Sequence, residues 1–287
     1  MRLAAYAFAA LLTAFLAPSA ALASSCYAFV EDMRDQGMAV RYAQLGTPSP
    51  AQYQAPAVKI TYVAHSTFLI ETADGVSIAT DFFGTAGFDE NGEKIIPTVV
   101  TMNHAHETHW TAFPDPEIKY VLRGWDHDGK GPANYRLRVQ DVTIRNVTTD
   151  IRGWGEPEAD GNSIFVFEVA DLCIGHLGHL HHVLTEEQYG LVGRLDVVMA
   201  PVDGTFTLDL PGMIEVLKTF KARVVLPMHA FSTTSMQAFL VGMSDEFAVD
   251  LPGTDTITLS FDTLPDQPTV ILLTRGNPAF DPSLSDD

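Results

Sequence analysis

Histidine is uncommon in this chain, ten in 287 residues, and it is unevenly placed. Three fall in Asn103-His104-Ala105-His106-Glu107-Thr108-His109-Trp110, at i, i+2 and i+5. At the end of an extended segment alternate residues point the same way, and a third returns to that side after about one helical turn. Neutral imidazole is the commonest side-chain ligand for zinc and related ions, so His104, His106 and His109 form a candidate metal site. The competing reading is a solvated loop that happens to be rich in histidine. Against it stands the apolar run Ile95-Ile96-Pro97-Thr98-Val99-Val100 just before, which reads as a buried strand.

A second cluster, Gly175-His176-Leu177-Gly178-His179-Leu180-His181-His182, follows the strand-like Leu172-Cys173-Ile174. His176 and His179, nearest the strand end, are its ligand candidates. For His181 and His182 a surface position competes evenly with function. His229 closes Val224-Val225-Leu226-Pro227-Met228-His229. A lone histidine after a strand is usually structural, yet here three strand ends each deliver one, as ligands gathered at one sheet edge require. His65, in Ala64-His65-Ser66-Thr67, would be a fourth such end. His127, between Asp126 and Asp128, reads as surface.

The elements that must position these residues follow from the apolar patterning. Val58 to Val63, Thr67 to Glu71 and Val76 to Thr80 read as strands, with a turn at Ala73-Asp74-Gly75 pairing the last two. Lys119 to Leu122 is a further strand, and the Gly- and Asp-rich stretch from Arg123 to Ala133 a loop. Arg136 to Val147 reads as paired strands about Gln140-Asp141, and Ile164 to Val169 pairs with Leu172 to Ile174. Strands and helices then alternate. A helix near Thr185 to Leu191, strand Val197 to Met199, a helix opened by Asp209 and Pro211, strand Val224 to Leu226, and a helix from Ser235 to Val241 lead to terminal strands at Thr256 to Phe261 and Thr269 to Leu273. Asp209 serves as N-cap, Pro211 suits the first turn, and Met213, Val216, Leu217 and Phe220 recur at core spacing. The strand-rich first half and mixed second half predict two sheets covered by helices.

The chain opens with Met1-Arg2-Leu3, an apolar run to Leu16, Pro18 and Ala21-Leu22-Ala23, the pattern of a secretory signal peptide. The uncharged run to Ser25 is long enough to be a membrane anchor. Pro18 and the small residues before Ser24 favour cleavage after Ala23. Ala23-Ser24-Ser25-Cys26 is an indifferent match to a lipidation site. The expected organisation is a leader over 1–23, a lead-in over 24–57 and one domain over 58–287, with a periplasmic or secreted product and no span after cleavage. A net charge of −19 disfavours binding to nucleic acid or anionic membrane, and a small-molecule substrate is the partner expected on the hydrolase reading below. No oligomeric state follows from the sequence. The two cysteines, Cys26 and Cys173, exclude a disulfide-rich scaffold. Export permits their pairing, whereas the apolar setting of Cys173 suits a buried thiol.

Tyr62-Val63-Ala64-His65-Ser66-Thr67-Phe68-Leu69-Ile70 followed by Thr80-Asp81 resembles the opening hairpins of the metallo-β-lactamase superfamily, in the branch that includes ascorbate-6-phosphate lactonase-like hydrolases. His104, His106 and His109 match the histidines of its HxHxDH motif. Gly175-His176-Leu177-Gly178-His179 is similar to its HLGD segment, and Pro227-Met228-His229 to its PMH motif. The resemblance covers roughly Lys59 to His229, with the motifs in family order. It implies a four-layer αββα sandwich of α/β class with a metal site at the sheet edge. It also exposes departures. Thr108 stands where the family has an aspartate, and His179 where it has a bridging aspartate. Near the position of a further family histidine, only Asp150 offers a ligand.

A carboxylate bridge lets two cations share one hydroxide, whereas a neutral imidazole serves one metal. A single zinc or a rearranged histidine site is therefore expected in place of an ordinary dinuclear centre, and all-nitrogen ligation also suits copper or nickel. The reading that follows is an exported metal-dependent hydrolase, a lactonase or esterase, with His104, His106, His109 and His229 as ligands and His179 completing the set, Asp150 and His176 being further candidates. The metal would acidify a bound water. Asp81 or Asp203 would orient that water or a ligating imidazole, although Pro201-Val202-Asp203-Gly204 reads equally as a turn. The alternative is a non-catalytic metal- or ligand-binding protein on the same fold.

Overall fold

The structure, a computed structural model, describes residues 26, 56–84, 89–90, 93–153 and 156–274. The expected leader and nearly all of the lead-in lie outside these residues. Sixteen strands and three helices are found among them. A six-stranded sheet contains β1 (Val58–Ala64), β2 (Thr67–Glu71), β3 (Ser77–Ala79), β6 (Val99–Met102), β7 (Tyr120–Arg123) and β15 (Thr256–Leu259), in the order β15-β1-β2-β3-β6-β7. An eight-stranded sheet has the order β14-β16-β13-β12-β11-β10-β9-β8. Its members are β8 (Arg136–Val139), β9 (Val142–Ile151), β10 (Glu158–Val169), β11 (Leu172–His176), β12 (Val197–Pro201), β13 (Val224–Met228), β14 (Ala248–Asp250) and β16 (Thr269–Ile271). A small ribbon pairs β4 (Asp89–Glu90) with β5 (Glu93–Lys94).

The two sheets pack face to face. Ile60, Tyr62, Phe68 and Ile78 of the first sheet meet Phe165, Phe167, Ile174, Met199 and Leu226 of the second in one buried cluster. Strand neighbours on the second sheet point the other way: Ile164, Val166, Cys173, Val198 and Val225 lie in a separate cluster with the helices. Residues i and i+1 of one strand thus reach opposite faces, both buried. That is why β12 and β13 read as unbroken apolar runs, as strands covered on both faces must.

The helices are α1 (Glu186–Val192), α2 (Leu210–Phe220) and α3 (Thr233–Met243). Thr185 opens α1 with a reciprocal capping box to Gln188, and Asp209 accepts the Gly212 N–H at 2.9 Å to open α2. Met213, Val216 and Leu217 of α2 and Met236 and Phe239 of α3 pack on the second sheet. Over the first sheet, turn segments carrying Trp110, Ile118 and Trp125 supply the outer layer among the described residues. The architecture is the expected α/β sandwich.

Several boundaries differ from the expectation. Ile95 to Pro97 are not strand, and β6 runs on to Met102, one residue before Asn103. The third helix starts at Thr233 because Ser232, accepting from the Ser235 N–H, caps it there. Strand β14 had no sequence signal: its three residues, Ala-Val-Asp, carry two that are exposed. Cys26 and Cys173 form a disulfide. Among the described residues no helix is long and apolar enough to cross a membrane.

Strands β3, β6 and β7 are parallel, as are β11, β12, β13, β16 and β14. Their carboxyl ends bring Asp81, His104, His176, Asp203 and His229 to one edge of the sandwich. In open α/β sheets, ligands bind just outside such strand ends.

Candidate metal centre

Among the described residues, three imidazoles form a group that could hold a metal ion. One ring nitrogen each from His65, His109 and His229 lies within 4.8 Å of the other two. Each arrives from a different element. His65 sits in the turn between β1 and β2, His109 in the turn after β6, and His229 directly after β13. The backbone joins two of them across the sheets, the His229 N–H donating to the His65 carbonyl at 2.9 Å. Tyr62 Oη donates to that same carbonyl at 3.2 Å.

A buried aspartate backs two of the three rings. His109 Nδ1 lies 2.7 Å from Asp81 Oδ2, and His229 Nδ1 lies 2.9 Å from Asp203 Oδ2. Burial disfavours the Asp81 carboxylate, but the charge and hydrogen bond of His109 and the Asn103 N–H at 2.9 Å outweigh it, leaving this group below the ordinary carboxylate range. Asp203 is likewise penalised by burial and lowered by His229, the Thr207 hydroxyl and the Thr205 N–H. Ionised carboxylates only accept, so each Nδ1 carries a proton, and in this tautomer the ring presents a lone pair on Nε2. A third ring has the same polarity: His104 Nδ1 donates to the Gly161 carbonyl at 2.8 Å.

These nitrogens suit a metal ion. His65 Nε2 and His109 Nε2 are buried with no hydrogen-bond partner among the described residues, an arrangement that costs free energy unless something else binds there. Burial, with the neighbouring His229 and His109, holds His65 down at about 3, and burial also lowers His104. Neutral imidazole is the ligating form. The backbone is strained at the same place: His65, Asp81 and His229 have φ of 53°, 44° and 54°. Such conformations in residues other than glycine cluster where the surrounding structure overdetermines a functional geometry.

The remaining sequence candidates fall into place around this trio. His104 and His179 stack at 5.3 Å between ring centroids, and His179 lies 4.6 Å from His109 and 5.3 Å from His229. His106 is exposed, with its ring 6.0 Å from that of His109 and its Nδ1 2.9 Å from Thr108 Oγ1. Neither His104 nor His106 joins the 4.8 Å group.

Two candidates have other roles. His176 is wholly buried, its Nε2 donates to the Ser66 carbonyl at 2.8 Å, and its Nδ1 accepts from the Gly178 N–H at 3.2 Å. Neither nitrogen is left for a metal, so the ligand expectation is corrected to a structural link between the sheets. Asp150 is exposed, and its Oδ1 accepts the Asp160 N–H at 3.0 Å. The strand period decides this: Thr149 points inward, where its hydroxyl accepts from Asn162 Nδ2, and residue 150 must face out. Asp203 answers to both of its readings. Its Oδ1 accepts the Thr205 N–H at 2.8 Å to close a turn while Oδ2 holds His229.

The sequence left Ser66, Asn103 and Asn162 unmarked. Asn103 donates from Nδ2 to the Ser163 carbonyl at 2.7 Å and bridges the two sheets beneath His104. Asn162 Oδ1 accepts the His179 N–H at 2.8 Å and fixes that loop. Gly178, with φ of 61°, passes so close that a Cβ there would lie 2.5 Å from Asn162 Oδ1. At the rim, Phe231 packs 4.8 Å from His229 and 5.6 Å from both His65 and Phe206. Phe206 and Phe231 remain 65% and 55% exposed.

A two-sheet sandwich with a histidine and aspartate centre at the carboxyl ends of its parallel strands defines a metallohydrolase-type fold. Residues 59–229 match the family model described as the β-lactamase superfamily domain. The chain belongs to this family, within the metallo-β-lactamase superfamily. It is 26% identical over 215 residues to a UPF0173 metal-dependent hydrolase of Salinibacter ruber, covering 69% of this chain and 94% of the relative. A similar relative from Thermoplasma volcanium is 23% identical, covering 60% and 83%. Among solved structures, a candidate Zn-dependent hydrolase of the superfamily from Thermotoga maritima superposes with a TM-score of 0.54 at 26% identity, covering 75% of this chain and 98% of the other. A metallo hydrolase from Ignicoccus hospitalis shares the fold at a TM-score of 0.51 and 17% identity, covering 71% and 99%.

Proposed function

We propose that this protein is an exported zinc-dependent hydrolase of esters or lactones that carry an apolar group. The carrying observation is the trio of His65, His109 and His229, two of its rings backed by buried aspartates and two of its Nε2 atoms buried without a partner. His65, His109 and His229 would hold the ion, with His104 beside them. A bound zinc would supply Lewis-acid polarisation of a carbonyl or phosphoryl oxygen and an acidified water. Asp81 and Asp203 keep the ligating rings in one tautomer and one orientation. The exposed Phe206 and Phe231 offer an acyl or aryl group an apolar seat beside the site. The Cys26–Cys173 disulfide supports an oxidising compartment, because such bonds are rare in cytosolic proteins.

One observation favours a second reading, a metal-binding protein without hydrolysis. Asp81 and Asp203 are both spent on histidines, and Thr108 offers no carboxylate to accept a proton from water. Metal analysis of periplasmic protein purified without chelator, alongside His109→Ala, tests the shared premise. Stoichiometric zinc that the variant lacks is expected, and a folded protein free of metal would overturn both readings. Turnover of a lactone and phosphodiester panel that follows zinc loading separates the first reading from the second.

A further inference from the structure

His104, His109 and His229 each donate from Nδ1 and so present a lone pair on Nε2. His179 stands among them with the opposite polarity, and a backbone amide dictates it. The Arg152 N–H donates to His181 Nδ1 at 3.0 Å. An amide nitrogen cannot accept, so His181 Nδ1 carries the lone pair and the hydrogen of this ring sits on Nε2. His181 Nε2 lies 3.2 Å from His179 Nδ1 and therefore donates to it. His179 Nδ1 is thereby an acceptor, and the hydrogen of its neutral ring must sit on Nε2. The ring is held in place by the stack on His104 and by Asn162 Oδ1, which accepts the His179 N–H. Its Nε2 makes no hydrogen bond among the described residues, and the residue as a whole is 8% exposed.

We propose that His179 is not a metal ligand but a hydrogen-bond donor, presenting Nε2–H to an oxygen of the bound substrate. The tautomer is fixed through His181 by the Arg152 amide. His181 is then a positioning residue, and of its two sequence readings, surface or function, the second acquires a defined task. The inference rests on the metal centre proposed above for its setting, but the tautomer itself requires no metal. It also gives the substrate a chemical feature, an acceptor oxygen such as a carbonyl or phosphoryl group, at the His179 side of the trio.

Long-range proton–nitrogen NMR of the histidine side chains, on the mature protein labelled with nitrogen-15, tests this directly. In the metal-free protein His179 should show a protonated Nε2 and an unprotonated Nδ1. His181→Ala should convert that signal to a mixture of tautomers. On adding one equivalent of zinc, the Nε2 signals of His109 and His229 should move, and that of His179 should keep its protonated position. An Nδ1-protonated His179 without metal, or a His179 Nε2 that moves with the ligands, overturns the proposal and leaves the zinc reading intact. If zinc moves no histidine signal, the zinc reading fails, and the metal-free spectrum still decides the tautomer. Inorganic phosphate titrated into zinc-loaded wild type and His179→Leu then tests the donor role. An affinity lower by about tenfold in the variant is expected for one hydrogen bond to a charged group. Equal affinities, or no phosphate binding by the wild type, overturn the donor role.

Discussion

An imidazole in a metal site has to be neutral, oriented and out of water, and here aspartates do the orienting. Asp81 accepts from both His109 Nδ1 and the Asn103 N–H, using one oxygen for each. In Asp81→Asn only one of those donors keeps an acceptor, because the amide NH2 faces the other. The buried loss should destabilise the protein by about 1–3 kcal/mol, and zinc affinity should fall by about 10–100-fold. Urea unfolding and zinc titration of the variant check the two effects separately. A second expectation concerns pH. Burial and neighbouring imidazoles lower His65 from 6.5 to about 3, and burial with the charge of Arg152 lowers His181 from 6.5 to about 4. In the unfolded chain both take up a proton near 6.5, so the unfolded state binds more protons below that pH. Their contribution to stability is present above 6.5 and is lost as the pH falls from 6.5 towards 4 and then 3. Unfolding midpoints of the metal-free protein should drop across that window, and an unchanged midpoint between 6.5 and 4 would contradict the assignment. At this scale the sequence displayed His104, His106 and His109 because their spacing repeats a ligand pattern. His65 carried a weaker signal, a single histidine between two strand runs. Its part in the trio depends on a left-handed turn and a bond to His229, which lies 164 positions further along the chain and leaves no local trace.

Strands and helices were legible wherever burial imposed a period. The runs that became β12 and β13 are apolar because both of their faces are covered, and Asp209 announced its helix through its cap. Register was not legible. Whether Thr149 or Asp150 of β9 faces the site depends on which residue pairs with Asn162, and that is set by the irregular pairing between Glu158 and Asn162 of β10. The segment after β11 is just as constrained, since Gly178 combines φ of 61° with contacts to Asn103 and Asn162 that leave no space for a side chain. Gly178→Ala should therefore cost about 1–3 kcal/mol from backbone strain alone, and displacing Asn162 should loosen the His179 loop it holds. Urea unfolding of the variant, read together with the His179 side-chain signals, measures both. A variant as stable as the wild type with unshifted signals would show that the loop moves freely, contrary to this packing.

Across the whole molecule, the disulfide ties residue 26 to the start of β11, closing a sequence separation of 147 residues. Cys26 is fully buried in the cluster that joins the second sheet to its helices, and the Arg194 N–H donates to its carbonyl at 2.8 Å. The pairing could not be read from the sequence, because an apolar strand setting for Cys173 suits a free thiol equally well and nothing local points to residue 26. A bond that closes so long a loop removes much conformational freedom from the unfolded chain. The Cys26→Ala/Cys173→Ala double variant should lose about 2–5 kcal/mol. Alanine avoids leaving buried hydroxyls without partners, so the change isolates the cross-link and its packing. Zinc affinity should stay at the wild-type value. The metal centre is assembled at the carboxyl end of β11, where His176, Asn103 and Ser66 lock the sheets together, while Cys173 lies near the amino end of the same strand. Urea unfolding of wild type and variant, each with and without zinc, tests both halves of the claim. A loss of stability with unchanged zinc affinity would mark the disulfide as a brace for the helix-covered face. A parallel loss of zinc affinity would mean that strain at the amino end of β11 reaches the histidines, and that the two ends of the strand do not act independently.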